Sequence, residues 1–269
     1  MAEPQASKNT RESRLLVAAS LPMLLFLFLP CLALIVRVAP SSILGNLANT
    51  QVGEAILLSG TTTSISLLLT IVAGTPVAYL LARRRFPGRA ILDTLIDLPI
   101  VLPPSVAGIA LLMAFGRRGL LGDVLGSLGI SIPFTQAAVI LAQLFVSSPL
   151  YIKAAQAGFA SVDREYEQAA AIDGASRWKI FRVVTVPLSL YALAGGAVMA
   201  WARALGEFGA TIIFAGNFPG RTQTMPLAIY IGFEIDLNIA LTLALILLVV
   251  SFIVLAVVKG FLRRRLVIV

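Results

Sequence analysis

The chain contains no histidine, a single cysteine and few charged residues. Without histidine it lacks the commonest general base and the commonest protein metal ligand. Cys31 is the only thiol and sits in an apolar run, which excludes an intrachain disulfide and a thiolate metal site. No nucleophile and base stand at catalytic spacing, so an intramembrane enzyme is the weakest reading. Lysine is rare too: Lys8, Lys153, Lys179 and Lys259 are all there are. None belongs to a G-x-x-x-x-G-K-[ST] loop, so the chain has no such cradle for ATP phosphates. No repeat period or low-complexity tract marks a second domain.

What is there in quantity is apolar. Hydrophobic residues make up 58% of the 269 and charged residues 13%, against about 25% charged in soluble domains. The mean hydropathy is +0.94. Apolar runs reach the roughly 20 residues that cross a bilayer. The pattern predicts an all-α membrane protein with about six transmembrane helices: Leu15–Val36, Glu54–Ala82, Ile91–Phe115, Phe134–Tyr151, Leu188–Phe214 and Leu237–Val258. Residues 1–14 read as a polar, poorly ordered cytoplasmic tail, and 15–269 as one membrane domain. A cleaved signal peptide is the alternative for the first run, which is longer than the usual h-region of about 7–15 residues. Val38–Gly53 reads as a polar outer linker and Gly116–Pro133 as an outer loop. Gly216–Asp236 reads as a third outer segment, with a short re-entrant or surface helix at Pro226–Phe233.

A net charge of +8 would suit nucleic acid, but position argues for lipid. Basic residues gather at Lys8–Arg14, Arg83–Arg89, Lys153–Arg182 and Lys259–Arg265, at alternate ends of the apolar runs. Only Arg37, Arg117, Arg118 and Arg221 fall on the other side. The positive-inside rule then places both termini in the cytoplasm of a multi-pass protein of the cell membrane, with no nucleic-acid partner.

Two spans carry unusual residues. The third contains Leu98-Pro99-Ile100-Val101-Leu102-Pro103-Pro104, which cannot be a regular helix. Proline removes backbone donors, so the freed carbonyls must face protein or a watery path. A packing kink and a pore role are equally open here. No second broken span is evident, which weighs weakly against inverted-repeat secondary transporters. The fifth span places Arg203 and Glu207 four residues apart, on one helix face. Ionisable residues in membrane helices usually face a bundle interior or watery cavity and often pair. A structural brace and a pathway or gate pair are both open.

Glu165–Pro187 is the one long polar interval in the second half of the chain. It predicts two short helices on the membrane surface. Ser161 or Asp163 caps the first. Ala169, Ala170 and Ala171 favour helix, and Gly174 stops it in a left-handed conformation. Ser176 caps the second, which carries Arg177, Lys179 and Arg182 among apolar residues. Pro187 suits the start of the next membrane helix.

This interval resembles the EAA loop of ABC importer permeases from bacteria and archaea. Ala169, Ala170, Gly174 and Val184-Thr185-Val186-Pro187 fall at the family's spacing, while Gln168 stands where Glu is usual and the acid is Glu167. Elsewhere, Leu102–Gly108 (LPPSVAG), Phe115–Gly122 (FGRRGLLG), RALGEFGAT with FAGN to Asn217, and Pro219–Tyr230 resemble molybdate permease subunits, with sulfate permeases as close relatives.

The resemblance implies a type I ABC importer fold with a coupling loop at about 161–187. It implies a homodimer that docks cytoplasmic ABC ATPase subunits through Glu167, Ala169, Ala170, Gly174, Ala175 and Pro187. An extracytoplasmic oxyanion-binding protein would deliver the anion. ATP and Mg²⁺ would belong to the partner, so the chain itself is expected to be no enzyme and to hold no cofactor or metal. Hydroxyls, amides and helix N-termini suit a doubly charged oxyanion, which makes Ser105, Arg203, Glu207, Thr211 and Asn217 candidates for the translocation path. Tungstate and sulfate or thiosulfate are alternative cargoes. An ion-coupled secondary anion transporter using Arg203 and Glu207 as a relay is the alternative of another class.

Overall fold

A computed structural model describes residues 5–38 and 40–266 of the protein. Among the described residues every regular element is a helix. The side chains of the basic anchors at Lys8–Arg14 and Arg263–Arg265 lie outside the described ones.

Helix α1 (Gln5–Arg37) is followed by α2 (Pro40–Leu47) and α3 (Thr50–Arg83). The first spanning segment therefore continues back into most of the tail expected to lack order. Lys, Arg and Glu there are good helix formers that can extend a helix already nucleated by the apolar run. The linker expected at Val38–Gly53 contains α2, and Asn49 starts α3 early by accepting from the Gln51 amide. At 34 residues α3 is about 50 Å long, so it projects past a hydrocarbon core of about 30 Å.

The third span is broken, as its prolines require. Helices α4 (Arg89–Val101) and α5 (Pro104–Phe115) meet at an angle of 118°. The loop after α5, expected to lie outside, holds one short helix, α6 (Gly122–Ser127), before α7 (Gln136–Ser161), which runs ten residues further than the apolar run alone suggests. The polar interval forms α8 (Arg164–Ile172) and α9 (Arg177–Ile180), and α10 (Val186–Leu205) is the next long apolar helix.

The fifth span corrects the expectation of one helix to Phe214. Helix α10 stops at Leu205, and α11 (Gly209–Phe214) begins after a gap at Gly206–Phe208. The cause is local: the Glu207 carboxylate accepts from the Ala210 amide at 2.7 Å and so starts a new helix. Among the described residues the helical run of the fifth span is therefore interrupted, as that of the third is. The expected short outer helix is α12 (Met225–Ile235), and α13 (Leu237–Leu266) closes the chain.

Three apolar clusters hold these elements. The outer one joins α5, the first half of α7 and α11 through Ala107, Leu111, Ala142, Val146 and Phe214. The inner one joins α3, α7 and α10 through Leu81, Tyr151, Phe159 and Leu193. A lateral one seats α12 and α13 on the outer end of α3, and there the Met225 amide donates to Ser59. Close approach depends on small residues: a Cβ on Gly158 would lie 2.4 Å from that of Ala192, and one on Gly196 2.6 Å from that of Ala154.

Candidate functional site

The polar interval folds into the two helices that its caps foretell. Asp163 accepts from the Glu165 amide, and Ser176 from the Lys179 amide. Gly174 has φ +82°, the left-handed region where a Cβ is costly. It turns the chain between α8 and α9 with open space around it.

The exit from α9 differs from the expected fresh start at Pro187. Helix continues from Arg177 to Leu205, through one π-helical segment at Phe181–Thr185. Proline has no N–H to offer the Val183 carbonyl. The wider turn absorbs that loss, because the Val186 amide donates five residues back to Phe181. A displacement of α9 is thus delivered directly into a spanning helix.

Helix α8 has two distinct faces. Arg164, Glu167, Gln168 and Ala171 line a cleft against α3. Glu167 is engaged within the chain: Arg83 donates to its Oε1 at 2.9 Å, and the Thr185 hydroxyl donates to the same oxygen at 2.7 Å. This one carboxylate joins the inner end of α3, α8 and the entrance to α10. The opposite face carries Glu165, Tyr166, Ala169, Ile172 and Asp173, spaced for one helix side and all exposed, Ile172 at 86%. An apolar side chain that open at a helix end is available to a partner. Of the residues expected to meet the ATPase, Ala169 and Gly174 are exposed and Ala170 and Ala175 are half-buried. Tyr166 and Ile172 were not singled out in the sequence; the i, i+3, i+6 apolar spacing within a polar helix was the available signal.

The second constellation is where the two broken spans meet. Helix α5 packs along α11, and a Cβ on Gly209 would lie 2.5 Å from that of Pro104. The joint lies at the amino-terminal ends of both α5 and α11, at Pro104 and Gly209. Ser105 lies exposed in the first turn of α5. Arg203 donates to the fully buried Glu207 at 2.7 Å and keeps about a third of its own side chain open. Thr211 is buried in α11 with its hydroxyl unpartnered among the described residues. Around the joint, Ser105 lies on α5, Arg203 at the end of α10, Glu207 in the gap that follows it and Thr211 on α11. Asn217 is not with them: it reaches toward the Leu227 carbonyl at 3.5 Å, beyond the outer end of α11.

A third polar contact holds α4. Lys153 on α7 binds Asp93 and Asp97, each at 2.9 Å. The two acids stand four apart and share a helix face, so one lysine anchors the inner half of the broken span. Among the described residues no group of His, Cys, Asp and Glu is arranged to hold a metal ion.

Residues 74–267 match the model of the binding-protein-dependent transport system inner membrane component. The chain belongs to that family. A molybdenum transport system permease protein, ModB of Mycobacterium tuberculosis, is 43% identical over 233 residues, covering 86% of this chain and 88% of its own. A probable transport system permease protein, NifC of Clostridium pasteurianum, is 37% identical over 250 residues, covering 92% and 86%. Among solved structures, a bacterial ABC transporter for import of the acidic polysaccharide alginate superposes with a TM-score of 0.75 at 17% identity, over 97% of this chain and 99% of that one. The fold is that of type I ABC importer permeases.

Proposed function

We propose that this permease forms, as a homodimer, the translocation path of an ATP-driven molybdate importer in the cytoplasmic membrane. The observation that carries the reading is the meeting of two broken spans at Pro104 and Gly209. A continuous helix offers a passing anion no backbone donors, because its amides are already bonded. A helix that begins inside the membrane presents free N–H groups and the positive end of its dipole. At this joint Glu207 takes the Ala210 amide and Arg203 neutralises that carboxylate, so the remaining amides of the two helix starts and the open part of Arg203 suit an oxyanion better than a cation or an apolar solute. The sequence likeness to molybdenum permeases supports the cargo.

ATP hydrolysis falls to separate cytoplasmic subunits that dock on the exposed face of α8 and on the Gly174 turn. An oxyanion-binding protein delivers the anion at the outer loops. Both termini lie in the cytoplasm. The test is uptake by vesicles containing this chain, its ATPase and its binding protein. Molybdate should enter only with ATP, and tungstate and sulfate should compete in proportion to their acceptance. Uptake driven by an ion gradient in the chain alone would overturn the reading in favour of a secondary transporter. Sulfate outcompeting molybdate would reassign the cargo. A cysteine placed at Gly220, in a chain freed of Cys31, should label from outside; labelling only from the cytoplasm would invert the topology.

A further inference from the structure

Between the inner end of α3 and the paired helices α8 and α9 lies an open cleft of about 870 Å³. Its walls differ sharply in chemistry. One is apolar, built by Ile71, Val72, Pro76 and Tyr79 of α3 with Phe181 opposite. The other is a rim of four arginines, Arg83, Arg84, Arg164 and Arg177, facing a single carboxylate, Glu167. Arg83 already holds that carboxylate, and Arg84, Arg164 and Arg177 have no acidic partner among the described residues. Three guanidinium groups gathered without counter-charge at the edge of a bilayer repel one another unless an anion joins them.

The apolar wall does not end at the cleft. Ile65, Leu68, Leu69, Val72 and Pro76 are all exposed and lie on one side of α3. That stripe runs about 16 Å up the helix, the reach of an acyl chain. Trp178 lies at the mouth, 69% exposed and stacked on Phe181 with ring centroids 5.6 Å apart. An indole at that level marks the headgroup region.

We propose that this cleft binds an anionic phospholipid of the leaflet it faces, the phosphate held by Arg84, Arg164 and Arg177 and the acyl chains laid along the α3 stripe. Charge and shape select this occupant. A free phosphate would leave the apolar wall wet. The α1 helix of a second copy would bring the basic end that carries Arg11 and Arg14 toward the arginines. The bound lipid fills the space between α3 and α8 and so steadies the coupling helices from the membrane side. The proposal rests on the functional reading only for naming the leaflet as cytoplasmic.

The test uses the full chain in nanodiscs of phosphatidylcholine alone or with phosphatidylglycerol, read by native mass spectrometry for retained lipid and by thermal unfolding. Neither ATPase nor molybdate is present, so the outcome is independent of the transport reading. Retention of phosphatidylglycerol over phosphatidylcholine and a higher Tm are expected. Replacing Arg84, Arg164 and Arg177 together by Gln should reduce the preference on the order of 100-fold, at about fivefold per charge. Val72→Trp, which fills the apolar half and leaves every charge in place, should also displace the lipid. Inorganic phosphate added to phosphatidylcholine discs should reproduce neither effect. Equal retention of the two lipids would overturn the proposal, as would a triple variant that keeps the preference while remaining monodisperse. So would stabilisation by inorganic phosphate alone.

Discussion

Arg83, the last residue of α3, donates to Glu167 on α8 at 2.9 Å, and the oxygen that accepts it also accepts from Thr185 at the foot of α10. With Arg83 and Glu167 only 9% and 19% exposed, the pair is largely withdrawn from water. A load on α8 therefore reaches two spanning helices through one carboxylate. Glu167→Ala leaves the guanidinium unpaired and frees the Thr185 hydroxyl. The expected loss is roughly 2–3 kcal/mol, below the figure for a fully buried pair. The Tm of the detergent-solubilised chain checks it. Membrane insertion should persist while ATP-dependent uptake fails. Glu167→Gln retains one acceptor and should fall between the two. Unchanged uptake in Glu167→Ala would show that α8 passes its motion on by another route.

The Gly174 turn makes a different demand. Nothing lies within 4 Å of where its Cβ would be, so bulk is not what the site forbids. The φ of +82° is. Valine there should cost about 1–2 kcal/mol of backbone strain and tilt α9 relative to α8. Asparagine tolerates the left-handed region and should come close to the parent. Recovery of the complex with its ATPase should rank Gly, then Asn, then Val. Equal recovery for Asn and Val would mean that side-chain volume, and not backbone conformation, governs docking.

Local signals reached the structure faithfully, and long-range ones did not. The caps Asp163 and Ser176, the stop at Gly174 and the proline break of the third span are written within a few residues, and each formed. The second break was hidden because Arg203 and Glu207 at i and i+4 fit an unbroken helix equally well. Only the choice of Glu207 to cap α11 decides between them. The partners of Glu167 are likewise 84 and 18 residues away, at separations no periodicity reveals. At the tail, apolar length underestimated helix, since Lys, Arg and Glu extend α1 without contributing hydropathy.

Glycine at the joint of the broken spans is expected to be irreplaceable. A Cβ at Gly209 would meet that of Pro104 at 2.5 Å, and a Cβ at Gly108 would meet that of Ile213 at 2.7 Å. The proline ring cannot swing aside as a long side chain would. Gly209→Ala should therefore part α5 from α11, at a cost of about 1–3 kcal/mol, and abolish uptake. Gly195→Ala is the control: it lies inside α10 with nothing within 4 Å, so the added methyl should be neutral or slightly stabilising. Equal Tm and uptake for the two variants would remove the close approach from the account.

Glu207 has two duties that substitution separates. It neutralises Arg203 at 2.7 Å and caps α11 through the Ala210 amide at 2.7 Å. Glu207→Gln keeps an acceptor for the amide and discards the charge. Glu207→Ala discards both and leaves a buried donor without a partner, at about 1–3 kcal/mol. If the residue is only a brace, stability and uptake should fall together, with Gln mild and Ala severe. If its charge also sets the field that a passing anion meets, Gln should alter uptake more than stability, because Arg203 then stands uncompensated at the mouth of two helix dipoles and holds the anion too tightly. A lower KM with a lower maximal rate in Glu207→Gln, at nearly parental Tm, is the expected result. Parental kinetics in that variant would assign Glu207 to the helix start alone.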